Sequence, residues 1–182
     1  LDMQAGPYFR LEGSNVVVDV LGQRLTGNLA FERVTSLGGD GLPGGSGDAA
    51  DTEVVRIVFS GVKLDLADGL LTLGDGSVAF LITGNGIAGI LSGTVSLGVS
   101  GASVSGALQV EINTTGSAVN ETISLGNTAS DLVLEAGENL EGYFRVTGEE
   151  VSLDLAGLGM QADFIISSAT APDGGAALEV QA

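Results

Sequence analysis

Along much of the chain every second residue is aliphatic. The runs are Val16, Val18 and Val20; Val62, Leu64 and Leu66; Val95, Leu97 and Val99; and Val151, Leu153 and Leu155. Alternation of this kind puts one set of side chains on one face of an extended chain and the intervening set on the other. The intervening positions hold Asp, Ser, Lys or Gly, so the pattern predicts strands with one buried face and one solvated or lightly covered face. No segment keeps an apolar stripe at 3.6-residue spacing, and 30 glycines interrupt every window long enough for a stable helix. The predicted fold is all-β with almost no helix, its long strands set in quasi-repeated hairpins. Two architectures fit, a β-sandwich-like one and an elongated β-solenoid. Hairpin spacing and one-sided alternation favour antiparallel pairing, while the quasi-repeated units and Gly/Ser-rich strands suit a solenoid.

The alternation recurs in register. Tyr8-Phe9-Arg10-Leu11 returns as Tyr143-Phe144-Arg145-Val146, 135 residues later. That offset holds without a gap through Gly13/Gly148, Val16/Val151, Asp19/Asp154, Gly22/Gly157, Leu25/Met160 and Leu29/Phe164. A weaker echo at an offset of 79 aligns Val95 to Gly101 and Val104 to Glu111 with Val16 to Gly22 and Leu25 to Glu32. A fourth copy starts at Val62 and ends near Gly76 to Ile82. Each unit is an alternating strand, a Gly-containing turn and a second alternating strand, the signature of a hairpin or β-arch. The expected organisation is one module over residues 1–170, with a repeat restarting at about residue 137, and a tail over 171–182 that is a linker or the start of a further unit. In that tail Leu178-Glu179-Val180 has the pattern of a strand. Gly38 to Asp51, rich in Gly, Asp, Pro and Ser, reads as a surface loop with a short turn near Ala49 to Thr52.

Composition narrows the function more than it defines it. With no His and no Cys, the usual general bases, thiol nucleophiles and zinc ligands are missing, and a Ser-His-Asp triad is impossible. Paired carboxylates for glycoside hydrolysis would need aromatic sugar platforms, yet Trp is 0 and Tyr is 2. No enzymatic activity is expected. A net charge of −17 opposes nucleic acid and anionic lipid, so neither is an expected partner. Gly76 to Val110 carries no charged residue, but it alternates and is full of Gly, Ser and Thr, unlike a membrane-spanning helix. Aromatic content of 4% also falls short of the girdles of a membrane barrel. No signal peptide is recognised at the start, which is expected of an excised segment or a mature form.

Calcium is the candidate cofactor, because hard cations favour several oxygens on Gly-bearing loops. One candidate group is Asp40, Asp48, Asp51 and Glu53; the other is Asp65, Asp68 and Asp75, close to Gly69, Gly74 and Gly76. Solvated turn acids are the plain alternative for both, and Gly44-Gly45-Ser46-Gly47-Asp48 departs from the nonapeptide β-roll motif. Asp19, Asp65 and Asp154 recur at equivalent strand positions, as a ladder or as charges that protect an edge. The most distinctive repeated side chains are Tyr8, Phe9 and Arg10 with Tyr143, Phe144 and Arg145. Alternation sends each Tyr and its neighbouring Phe to opposite faces. A packing seam between repeats is expected there, with a carbohydrate platform as the alternative.

Taken together, Gly6 to Gly13, Leu25 to Glu32, Leu91 to Val95 and Ile112 to Thr122 resemble the long tandem repeats of giant secreted bacterial proteins, found beside haemolysin-type calcium-binding and cadherin-like modules. The resemblance implies a secreted or cell-surface, adhesin-like repeat that runs on head to tail, with neighbouring copies as partners. Two functions are expected on this footing. One is a structural or adhesive module that stacks or polymerises, with the uncharged Gly76 to Val110 segment in its contacts. The other is a module that binds glycans or other surface polymers through the Gly38 to Glu53 loop.

Overall fold

The structure, a computed structural model, describes residues 8–20, 23–36, 51–66, 70–125, 128–137, 142–170 and 176–182. Eleven strands account for nearly all of them: β1 (Tyr8–Val20), β2 (Gln23–Ser36), β3 (Thr52–Leu66), β4 (Leu71–Thr83), β5 (Gly86–Val99), β6 (Ala102–Asn113), β7 (Val119–Leu125), β8 (Thr128–Leu134), β9 (Tyr143–Leu155), β10 (Leu158–Thr170) and β11 (Ala176–Gln181). No helix occurs among the described residues, and none is long and apolar enough to cross a membrane. Nine strands form one sheet in the order β1-β2-β3-β4-β5-β6-β9-β10-β11, while β7 and β8 make a separate hairpin. Every pair in the sheet is antiparallel, so the predicted hairpins are present and the sheet is a simple meander.

The β7-β8 hairpin lies on one face of the sheet and gives the molecule its second layer. Val119, Ile123, Leu132 and Leu134 of the hairpin pack on Val34, Val54, Val58, Ala79, Leu81 and Ala88 of the sheet. Leu132 has no exposed surface. The link back to the sheet runs through Asn113, whose side chain is 1% exposed and fully bonded. Its Nδ2 donates to the carbonyls of Ser117 and Glu135, each at 2.8 Å, and its Oδ1 accepts from the Thr115 amide at 3.0 Å and hydroxyl at 2.7 Å. A buried amide satisfied on both sides holds the entry and exit of the insertion together.

β2, β5, β6 and β10 alternate without interruption, whereas β1, β3, β4 and β9 keep their apolar residues on the same face only because their alternation slips by one residue near the middle. In β1 the apolar set is odd at Phe9 and Leu11 and even at Val16, Val18 and Val20; in β3 it is odd from Val55 to Phe59 and even from Val62 onward. The same slip occurs in β4 and β9. At each slip the pairing register shifts, and one residue adopts a left-handed backbone: Asn15, Gly61, Asp75 and Glu150. These are β-bulges, which put two residues opposite one and so restore every later side chain to the correct face. In β1 the Asn15 amide donates to Asn28 Oδ1 at 3.0 Å; in β9 the Glu150 amide donates to Asp163 Oδ1 at 2.7 Å. Asn15 and Glu150 are 135 residues apart, as are Asn28 and Asp163. The repeat therefore preserves the bulge and its side-chain clamp as well as the hydrophobic pattern.

The strand boundaries carry the same period. Tyr8–Val20 and Tyr143–Leu155 coincide at both ends after the 135-residue shift. Glu179 of β11 lies opposite Ser167 of β10, as Arg56 of β3 lies opposite Glu32 of β2. Thus 176–181, within the tail, is a strand in the place of β3.

Two stability measurements test this account. Glu150→Gly relieves a left-handed residue that carries a Cβ and is expected to raise unfolding free energy in urea by about 1 kcal/mol. Asn113→Ala takes away the partner of the Glu135 carbonyl and the Thr115 amide, and one of the two donors to the Ser117 carbonyl, and is expected to lower it by roughly 2–3 kcal/mol.

Candidate interaction surface

The covered face of the sheet carries a row of charge that ends at the hairpin. Arg10, Glu32 and Arg56 are direct cross-strand neighbours on β1, β2 and β3. Arg56 reaches Glu32 at 3.3 Å and Glu121 of β7 at 3.2 Å. Arg10 lies 3.6 Å from Glu32, pairs with Glu12, and donates to the Ser124 carbonyl of β7 at 2.9 Å. The Tyr8 hydroxyl donates to Glu32 at 3.0 Å. One carboxylate thus gathers a tyrosine and two arginines, and both arginines also hold the hairpin.

The second copy of the motif uses a different glutamate. The Tyr143 hydroxyl donates to Glu111 Oε2 at 3.3 Å, Arg145 meets the same oxygen at 3.4 Å, and the Arg145 guanidinium stands 5.3 Å from the Tyr143 ring centroid. Glu111 belongs to β6, the strand before β9, whereas Glu32 belongs to β2, the strand after β1. The residue at the place of Glu32 in the second copy is Ser167, so only β6 supplies the acid. Burial pushes the Tyr143 phenol above its ordinary value of 10.0, and the charge of Glu111 and the hydrogen bond to it add to the shift, with Arg145 opposing. The sequence pattern singles out the Tyr and Arg of this motif, but the glutamates that receive them become visible only from the cross-strand register.

Phe9 and Phe144 point to the other face, as alternation requires. On that open face pairing aligns Phe31, Ile57, Phe80, Gly89, Ile112 and Phe144 in one row. The Phe80 ring lies across Gly89, where an added Cβ would come within 2.1 Å of it, and the Phe164 ring lies across Gly148 in the same way. These glycines are small because a neighbouring ring occupies the space above them. Phe9 and Phe31 meet edge to face, with centroids 5.9 Å apart. Towards the short turns the open face becomes aliphatic, through Leu71, Leu97, Val104, Leu153 and Met160. Among the described paired residues, bulges aside, its charged side chains are Arg33 and Glu53, which pair with each other. No described strand stacks on this face. Leu158 is 76% exposed, Leu178 68% and Met160 60%.

The calcium candidates fall partly outside the described residues. Asp40, Asp48 and Asp68 lie outside the described residues, as do nearly all of the Gly38 to Asp51 loop and the turn at Ala49. Asp51 precedes β3, Glu53 pairs with Arg33, Asp65 lies on the covered-face side beside Lys63, and Asp75 sits at a bulge. Among the described residues no three acidic side chains converge as metal donors. Asp19 lies 3.6 Å from Arg24, which stands between Asp19 and Asp65 in the register; Asp154 accepts from the Gly157 amide at 3.2 Å in its turn. With Lys63 and Thr72 the first three line an open trough of about 500 Å³. No family model, curated protein or solved structure matches this chain.

The Tyr143 site gives a pH test. A phenol that ionises near pH 10 in the unfolded chain and higher in the folded one contributes stability that is complete below about pH 10. That contribution is lost as pH rises from there through the folded value. Glu111→Gln in a Tyr8→Phe background is expected to move phenolate absorbance of Tyr143 to lower pH. An unchanged titration curve would show that Glu111 does not act on the phenol.

Proposed function

We propose that this chain is a non-enzymatic structural repeat module of a secreted or cell-surface protein, and that it stacks with further copies of itself into a fibre or stalk. The observation that carries this reading is the open apolar face. The eight long strands of the sheet, about 13 residues each, at about 4.8 Å between strands and 3.4 Å per residue, span roughly 1,700 Å², and the short β11 adds to this. The largest apolar patch on an ordinary soluble monomer is only about 300–600 Å². Two such faces pressed together would bury roughly 3,000 Å² in total, the scale of permanent interfaces.

Charge supports the same assignment. The protein carries −17 overall, yet the paired strands of the open face hold one arginine and one glutamate that cancel. Copies can therefore meet there without bringing their acidic groups into contact, while the acidic remainder keeps the assembly solvated. Repetition supports it too, since the meander passes from β6 to β9, from one copy of the Tyr-Phe-Arg pattern's unit into the next, with no break in the sheet.

The test is negative-stain imaging and sedimentation of the purified chain beside Leu158→Lys/Met160→Lys. Both positions are exposed, so the variant is expected to keep its circular dichroism and urea midpoint. The parent is expected to form rods or multimers, and the variant to sediment as a monomer. Compact monomers of the parent at all concentrations would refute self-stacking.

A further inference from the structure

We propose that the outer edge of β1 is an acceptor for a β6-type strand from a neighbouring copy of this repeat, taken up antiparallel in a fixed register. The inference rests on the stacking reading and assigns one of its contacts. β1 and β9 are equivalent strands, alike in their Tyr-Phe-Arg start, length, bulge position and side-chain clamp. Each pairs on one side with the strand that follows it, β2 or β10. On its other side β9 is paired along its whole length with β6, whereas no described strand lies on that side of β1. Along the thirteen residues of β1, the side turned away from β2 has no described strand opposite it, and such an edge is a template for β-augmentation.

The β6–β9 pairing supplies the register. Shifted by 135 residues, it sets Asn113 of the incoming strand opposite Tyr8, Glu111 opposite Arg10, Val110 opposite Leu11, Leu108 opposite Gly13 and Val104 opposite Val18. The chemistry matches where the charged residues and the glycine fall. Glu111 would bring a carboxylate to Tyr8 and Arg10, the pair that Glu111 engages in β9 as Tyr143 and Arg145. Arg10 already has carboxylates at Glu12 and Glu32, so the incoming acid would share it. Leu108 would stand opposite Gly13, as it stands opposite Gly148 in the existing pair. The incoming Val104, Leu108 and Val110 fall on the open face, so the added strand widens that face without adding charge. The Ser105-to-Ala107 register shift of β6 also suits the bulge at Ser14-Asn15, because it accommodates the equivalent bulge at Glu149-Glu150.

The experiment uses the full chain and a synthetic peptide of residues 102–113, read by amide hydrogen exchange and NMR titration. Saturable binding is expected, with exchange over residues 8–20 slowed on the order of tenfold and the other strands unchanged. A Glu111→Lys peptide is expected to bind about fivefold more weakly, because it sets a like charge opposite Arg10. A scrambled peptide of the same composition is expected not to bind. Absence of protection in β1, protection confined to another region, or equal binding by the scrambled peptide would each overturn the proposal. Multimers of the chain in which β1 amides still exchange freely would overturn it as well, while leaving stacking through the open face intact.

Discussion

The whole architecture depends on one constraint: a strand of thirteen or more residues must keep its apolar side chains on the same face as its neighbours do. A plain alternation would achieve this, but the pairing here shifts part-way along the strands, and each shift by one residue would turn half of every strand inside out. The bulges at Asn15, Gly61, Asp75 and Glu150 absorb the shift. Because they do, the apolar ladder runs unbroken from the aromatic end near Phe31 and Phe80 to the aliphatic end near Leu97 and Met160. The opposite face is left free for the hairpin, the ion pairs and the solvated acids. Two of the bulges are clamped by side chains on the next strand, Asn28 and Asp163, so the slip is specified locally and does not depend on global packing.

The ion pairs on the covered face act within that frame. Exposed pairs of this kind contribute little to stability individually, from about zero to 1 kcal/mol. All five arginines nonetheless have a carboxylate partner, in a protein whose acids outnumber its bases several-fold. What they add is position. Arg56 and Arg10 tie the hairpin to two strands at once, and Asn113 fixes its root, so Leu132 and Ile123 are delivered to one place on the sheet. The hydrophobic contact supplies most of the free energy, and the polar contacts decide where it is made.

Much of this was legible in the sequence because it rests on short-range periodicity. The aliphatic runs from Val16, Val62, Val95 and Val151, the 135-residue repeat, the strand at Leu178 to Val180 and the absence of helix among the described residues all follow from spacing that any extended chain must show. The bulges were present as a visible change of parity, from Phe9 and Leu11 to Val16 and Val18, but each half of β1 taken separately looks like an ordinary strand. The hairpin was harder to see. Val119, Ile123, Leu132 and Leu134 are few and short-spaced, and nothing in their own segment says which strands they cover. Glu32 and Glu111 were hidden for a related reason, since only cross-strand register makes them the partners of the Tyr and Arg residues.

The repeat also explains why one motif can have two partners. Tyr8 and Arg10 use Glu32 of the following strand, whereas Tyr143 and Arg145 use Glu111 of the preceding one, where Ser167 has taken the place of Glu32. In both cases the tyrosine hydroxyl and the guanidinium converge on a single carboxylate beside the hairpin layer. The constant element is therefore the Tyr-x-Arg presentation on the first strand of the unit, and the acid is interchangeable between the strands on either side. A unit built this way keeps its first strand unchanged: whichever adjoining strand carries the glutamate closes the network, and the bulge clamp keeps the register in which that closure is possible.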